Sequence, residues 1–274
     1  MTVTEFKKIV WNYYGRGGRN LPWRATTDPY SIMVSEIMLQ QTQVDRVVPK
    51  YLAWIKRWPS VGALARAPLA DILSSWQGLG YNRRALALKH AAEIIVNKYA
   101  GAFPKKYDDI LELPGVGPYT AGAIVAFAFN QPVPIIETNI RTVFLHHFFP
   151  NTRGKISDDK LIPLIKKTLD VKRPREWYWA LMDYGAYLKK TVENPGRRSA
   201  HHSRQSPFIG SRRQLRGAVL KLITASQKPV RAAILEKEIR LRGISAPKKE
   251  FEKVLASLAS EGFVKNSSRG LLIS

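Results

Sequence analysis

The stretch "LELPGVGPYTAGAIVAFAF", residues 111–129, decides how the chain is read. An apolar helix pattern runs into Pro114-Gly115-Val116-Gly117, and a small-residue helix starts at once behind it. Two glycines allow positive φ and a close approach of backbone to a ligand. The amides freed at that turn, with the positive N-terminus of the second helix, suit a phosphate. The layout is a helix-hairpin-helix, which grips a nucleic-acid backbone without reading its sequence. Pro114, Gly115, Val116 and Gly117, with Tyr119 and Thr120 behind them, are the expected phosphate-binding set, and a monovalent cation can be expected at the same hairpin.

Outward from this stretch the pattern stays helical. Helices are expected over about 4–15, 29–41, 43–57, 61–66, 68–76, 82–99, 107–111, 139–149, 158–169 and 174–188, with no strand alternation before residue 190. From Lys189 to Ser211 the sequence turns polar and basic and reads as a loop or linker. His201-His202 within it is too little for a metal site. Residues 212–274 carry 14 basic and 5 acidic residues. Three helices and two short strands around Ser-Ser-Arg-Gly predict a winged helix there, a module for duplex or for a protein contact, expected to add affinity for duplex and no acid–base chemistry. The expected domains are therefore 1–190, a basic linker 191–211, and 212–274. The fold class is all-α, a helical body followed by a small winged-helix-like domain.

Composition narrows the partners. The 274 residues include 44 Lys plus Arg against 21 Asp plus Glu, a formal charge of +23. Phosphate neutralisation is the first use of such an excess, so nucleic acid is the expected partner. There is no cysteine, which excludes disulfides, thiolate zinc sites, cysteine nucleophiles and cysteine-bound iron–sulfur clusters. The N-terminal "MTVTEFKKIVWNYY" lacks a continuous apolar core, and no run of about 18 uncharged apolar residues exists. A cytoplasmic, nucleoid-associated monomer with no membrane contact is expected.

One carboxylate stands out. "PIIETNIRTVF", residues 134–144, puts Glu137 inside an apolar segment at a helix start. Such a residue can cap the helix, form a buried ion pair, or act as a catalytic acid. If it does not cap, Thr138 or Asn139 can.

The first 190 residues resemble the helix-hairpin-helix DNA glycosylases, and within them the MutY-like adenine glycosylases. The resemblance rests on "LPWR" (21–24), "SEIMLQQTQV" (35–44), "GLGYNRRA" (78–85), "LPGVGPYTAGAI" (113–124) and "MDYGAYL" (182–188). It implies a two-lobed helical body, with the site in the cleft between lobes, that flips a base out of duplex DNA carrying a mismatch or lesion and cuts its glycosidic bond. Glu36 matches the family's general acid, and its neighbours Ile32, Met33, Ile37 and Leu39 are apolar, a setting that keeps a carboxyl protonated. Glu137 stands where the family has an aspartate that stabilises the cationic sugar; the family reads Asp-Gly-Asn-Val, this chain Glu137-Thr138-Asn139-Ile140. Gln40 and Gln41 match the wedge that fills the vacated stack, and Tyr81 resembles a second wedge beside the opposite base. Trp23 and Arg24 resemble pocket wall and polar neighbour. Tyr119 sits where bifunctional relatives such as endonuclease III carry a Schiff-base lysine, which argues for a monofunctional enzyme.

The chain departs from the family in two places. The four cysteines that follow "MDYGAYL" in relatives are missing, so no iron–sulfur cluster is expected; Lys189, Lys190, Arg197, Arg198 and Arg204 are expected to take over its phosphate contacts. The usual C-terminal domain that inspects 8-oxoguanine is replaced by the winged-helix candidate. Three functions follow: excision of adenine opposite guanine or 8-oxoguanine, excision of thymine, uracil or another damaged base opposite guanine, or DNA binding without catalysis.

Overall fold

The computed structural model describes residues 1–203, 206–226 and 228–274. It is built from helices with one short antiparallel hairpin near the C-terminus. The chain divides into two compact units, Met1–Glu36 with Phe103–Arg204, and Ile37–Ala102 with Gln205–Ser274.

In the first unit the helices Val3–Gly15, Thr138–Phe148 and Pro174–Thr191 pack around a ring cluster. Phe6 lies 5.1 Å from Phe144, 5.0 Å from Phe148 and 6.0 Å from Trp177 between ring centroids. Helix Pro118–Phe129 is buried along one unbroken run from Thr120 to Ala128. Its small residues are what close packing requires: a Cβ on Gly122 would meet Ile135 Cγ2 at 2.4 Å.

The helix at 174 runs to Thr191, three residues past the expected end, so Lys189 and Lys190 are helical rather than part of a loop. Gly185 is the reason the helix can stay beside Thr138–Phe148, because a Cβ there would meet the Asn139 carbonyl oxygen at 2.2 Å. The next residues are not a free tether either. Pro195, Gly196 and Ser199 are buried. Ala200 N donates to Ile156 O at 2.9 Å, and Ile156 N to Arg198 O at 2.8 Å. Arg198 spends its guanidinium on the carbonyls of Leu145 (3.0 Å), Phe149 and Pro150 (2.9 Å), closing the C-terminus of helix Thr138–Phe148. It is therefore occupied within the fold, unlike the exposed Lys190 and Arg197. Arg204 lies outside the described residues.

In the second unit the helices Val44–Arg57, Leu69–Trp76 and Arg83–Tyr99 surround Trp54, Trp58 and Trp76. Trp54 sits 4.5 Å from Trp58 and 5.5 Å from Trp76. Helix Arg212–Ser226 buries Leu215, Val219, Leu220 and Ile223 and packs against Leu69–Trp76 as well as against Ala232–Leu241 and Lys248–Ser260. Strands Val264–Ser267 and Gly270–Ile273 pair with Val264 opposite Ile273. Glu261 accepts from Arg83 (2.6 and 2.8 Å) and from Arg216 (2.8 and 2.5 Å), and its pKa falls to about 2, first because of the Arg83 bonds. The C-terminal helices thus share one compact unit with residues 37–102 instead of standing apart behind a linker.

Candidate active site

The hairpin turns as its sequence requires, with one difference. Val116 N donates to Leu113 O at 3.1 Å, and Gly115 takes φ 77°. Gly117 does not: it is extended at φ −97°, ψ 178°, and forms the N-cap of helix Pro118–Phe129. Its missing side chain leaves that helix start without a side-chain cap and open on the outside, since nothing lies within 4 Å of where a Cβ would stand. Leu113 and Val116 anchor the turn in the core, whereas Gly115 and Pro118 are exposed and Pro114 and Gly117 half-buried. Thr120, expected in the phosphate-binding set, is buried.

Two residues behind the hairpin, Tyr119 turns inward. Its hydroxyl donates to Glu36 Oε2 at 2.9 Å. Glu36 lies on helix Pro29–Leu39, started by Asp28, whose Oδ2 accepts from Ser31 N (2.9 Å) and Ser31 Oγ (2.6 Å). Residues 30–38 of that helix are buried on every side, and Glu36 is 5% exposed. Burial is the main cause that raises its pKa to about 7; the Tyr119 bond opposes the rise, the Glu137 charge adds to it, and Arg24 opposes it. Tyr119 is held well above 10 by burial first and then by the two carboxylates, so it stays a phenol and a donor.

Glu137 is itself the N-cap of helix Thr138–Phe148, so Thr138 and Asn139 are not needed for that role. Oε1 accepts from Asn139 N (2.7 Å) and Ile140 N (2.8 Å); Oε2 accepts from Asn139 Nδ2 (3.2 Å). Every contact donates to the carboxylate, the arrangement that suits an anion at a helix N-terminus. Cap and catalytic carboxylate are therefore compatible readings of one side chain. Lys189 Nζ donates to Asn139 Oδ1 at 2.8 Å, one turn beyond Gly185. Burial lowers the Lys189 pKa, and the nearby Glu137 charge works against that. Lys189 is thus engaged behind Glu137 rather than out on the surface.

Trp23 is buried in the short turn Pro22–Arg24. Arg24 is clamped by Asp183, with Nη1 to Oδ2 at 2.8 Å and Nη2 to Oδ1 at 2.7 Å, and lies over the Trp179 ring at 5.3 Å. Arg19 adds N (2.8 Å) and Nε (2.6 Å) bonds to the same carboxylate. Burial would raise Asp183, but the two arginines outweigh it and its pKa is lowered. In the sequence Asp183 is only one residue of "MDYGAYL"; its role as the anchor of Arg24 needs the fold.

The wedge candidates lie in the second unit. Helix Pro29–Leu39 ends before Gln40, two residues earlier than expected, so neither glutamine is on a helix face. Gln41 and Tyr81 both take left-handed backbone, φ 55° and 49°, which is unusual for residues with a Cβ and frequent at functional sites. Arg84, to which the sequence assigned nothing, holds both turns. Nη1 donates to the carbonyls of Ile37 (2.9 Å), Met38 (2.8 Å) and Gln40 (2.6 Å). Nη2 donates to Thr42 Oγ1 (3.0 Å) and to the carbonyls of Leu79 (3.2 Å) and Gly80 (2.9 Å). Taking up the carbonyls of Ile37, Met38 and Gln40 is the physical reason the helix stops where it does.

This geometry has counterparts. The family described as HhH-GPD superfamily base excision DNA repair protein matches residues 34–167, a span that holds Glu36, the hairpin, Tyr119 and Glu137. The adenine DNA glycosylase of Mycolicibacterium smegmatis is 33% identical over 98% of this chain and 95% of its own length. The chain belongs to the adenine DNA glycosylase family. A second member, from Buchnera aphidicola subsp. Baizongia pistaciae, is 39% identical over 69% of this chain, and the match spans 54% of that relative. Among solved structures, a thermostable thymine-DNA glycosylase aligns with TM-score 0.63 and 26% identity over 70% of this chain and 90% of its own. An endonuclease III–DNA complex shares the fold at TM-score 0.59 and 17% identity, over 70% of this chain and 90% of its own.

Proposed function

We propose that the chain is a monofunctional DNA N-glycosylase that excises adenine opposite guanine or 8-oxoguanine, working without an iron–sulfur cluster. The observation that carries this reading is the contrast between two carboxylates of one unit. Glu36 is buried and holds its proton near neutrality; Glu137 is ringed by donors at a helix N-terminus. A buried carboxyl that keeps its proton, together with a second carboxyl whose oxygens only accept hydrogen bonds, suits an acid and a charge stabiliser.

In the reaction, Glu36 gives its proton to a ring nitrogen of the flipped adenine. The bond from C1′ to N9 breaks, and its electron pair leaves with the base. Positive charge builds on the sugar, where the Glu137 carboxylate stabilises it. Water adds to C1′ and returns a proton to Glu36, leaving an abasic site and free adenine. Tyr119 keeps Glu36 oriented, and Asp183 keeps Arg24 in place. DNA is the expected partner because of the +23 charge, the open helix start behind Gly117 and the family.

The likeness to a thymine-DNA glycosylase supports a second reading, in which the base is thymine or uracil opposite guanine. Duplexes carrying each mismatch and common lesion, incubated with the protein and then treated with alkali, separate the two. Strand cleavage at adenine opposite guanine or 8-oxoguanine is expected. Cleavage confined to thymine or uracil selects the second reading, and no cleavage on any duplex selects DNA binding without catalysis.

A further inference from the structure

Tyr81 is not held by its own turn alone. Its phenol oxygen accepts from Arg213 Nη1 at 2.6 Å, and the guanidinium carbon lies 5.4 Å from the ring centroid. The same guanidinium donates through Nη2 to the Ser206 carbonyl at 2.6 Å and to Ser206 Oγ at 3.3 Å. One fork therefore joins the left-handed tyrosine to the start of a turn at 206–211.

That turn is built. Ser211 donates to the Phe208 carbonyl through both Oγ (2.6 Å) and N (3.1 Å). Gly210 N donates to Gln214 Oε1 at 2.7 Å, with Gly210 at φ 76°. Yet it turns its apolar tip outward: Phe208 is 59% exposed and Ile209 is 85% exposed. Single exposed apolar residues are ordinary. Two adjacent ones at the tip of a hydrogen-bonded turn, next to Arg212 and Arg213, are a different arrangement. Guanidinium groups suit phosphates, and Phe and Ile are residues that proteins press between base steps from the minor groove. The phenol oxygen already accepts from Arg213, so the Tyr81 O–H remains to donate.

We propose that residues 206–213 form a third element of the duplex-probing edge, in which Arg213 sets the pose of Tyr81 and the Phe208–Ile209 tip makes an apolar contact with the minor-groove face beside it. This rests on the glycosylase reading, in which Tyr81 stacks next to the opposite base. The contact is specific to opened duplex, because an intact stack offers the tip nothing to enter.

The test uses the full chain and two duplexes of one sequence. One is fully paired; the other carries a tetrahydrofuran abasic analogue opposite guanine, with 2-aminopurine beside that guanine. Wild type should bind the abasic duplex more tightly and change the 2-aminopurine fluorescence. Phe208→Ala/Ile209→Ala should lower the preference for the abasic duplex about fivefold or more and shrink the fluorescence change, with affinity for paired duplex held within about twofold. Arg213→Lys should lose the preference in the same way, since it keeps the charge and loses the planar fork. Thermal unfolding of the double variant should match wild type, because both side chains are exposed.

Unchanged preference and fluorescence in the double variant, an equal loss on both duplexes, or full rescue by Arg213→Lys would overturn the proposal. Tyr81→Ala separates the two levels. If it abolishes the signals and the turn variants do not, the inference fails and the wedge reading stands. If Tyr81→Ala leaves both signals intact, or wild type shows no preference, the reading beneath fails and takes this proposal with it.

Discussion

A carboxyl with a pKa of about 7 in place of 4.5 is a liability in a folded protein and an asset in a general acid. Its folded pKa is raised, so the group is harmless to stability below about pH 4.5. The penalty grows as pH rises toward 7 and is then constant, at most about 3 kcal/mol. Glu36→Gln should therefore raise the melting temperature more at pH 8 than at pH 5, while base excision falls by at least about a thousandfold and DNA binding survives. Equal melting shifts at both pH values would contradict the burial argument. Single-turnover excision by the wild type should fall above about pH 7, and Tyr119→Phe should move that limb to higher pH because it removes the hydrogen bond that opposes the rise. A limb that stays in place after Tyr119→Phe would show that another group titrates. Glu137 calls for a different substitution, because it both caps a helix and carries charge. Asparagine is a strong N-cap without charge. Glu137→Asn should keep stability within about 1 kcal/mol and lose several orders of magnitude in rate. Rate within a few-fold of wild type would leave the cap as the residue's whole role. Glu137→Asp, the family's residue, should retain or raise activity; a loss would mean the pocket is fitted to the longer side chain.

Elements were easier to read in the sequence than the contacts between them. Helix periodicity and Pro, Gly or Asx punctuation placed most helix ends within a residue or two, because those signals are local. The misses have long-range causes. The helix at 29 stops at Leu39 because Arg84, more than forty residues on, takes up its last carbonyls. The helix at 174 runs on to Thr191, and in that added turn Lys189 bonds to Asn139, fifty residues earlier. The site followed the same rule. Glu36, Tyr119 and Glu137 were legible from their motifs, whereas the Asp183 anchor, the Lys189–Asn139 bond and the Arg84 clamp join segments that no spacing connects. Gly185 offers a direct test of how one element positions another. A methyl group there overlaps the Asn139 carbonyl, so the two helices must move apart. Gly185→Ala should destabilise by about 1–3 kcal/mol and slow excision by about tenfold to a hundredfold, since Asn139 supports Glu137. Wild-type melting and rate in this variant would refute the close packing.

At the scale of the whole molecule, charge and chemistry separate. Among the described residues no helix is long and apolar enough to cross a membrane, and the excess of 23 positive charges is spread along the sequence, with 14 basic residues in 212–274 alone. The carboxylates of the candidate site sit instead among short, partly buried bonds within one unit. Salt should therefore act on binding and spare catalysis. Each phosphate neutralised releases condensed counterions, so affinity falls with the logarithm of salt at a slope of about −0.9 per contact. With roughly five to eight contacts, affinity for a fully paired duplex should drop by about three to four orders of magnitude between 50 and 200 mM salt. Ions at those concentrations screen over about 7–14 Å of water but reach a buried carboxyl far less. Single-turnover excision at saturating protein should then change by less than about threefold over the same range. Anisotropy titrations and quenched-flow assays on one duplex measure the two quantities side by side. A flat salt dependence of affinity would remove the phosphate argument on which the nucleic-acid reading began. A saturated rate that collapses with salt would place the candidate carboxylates in open solvent, against the buried setting of Glu36.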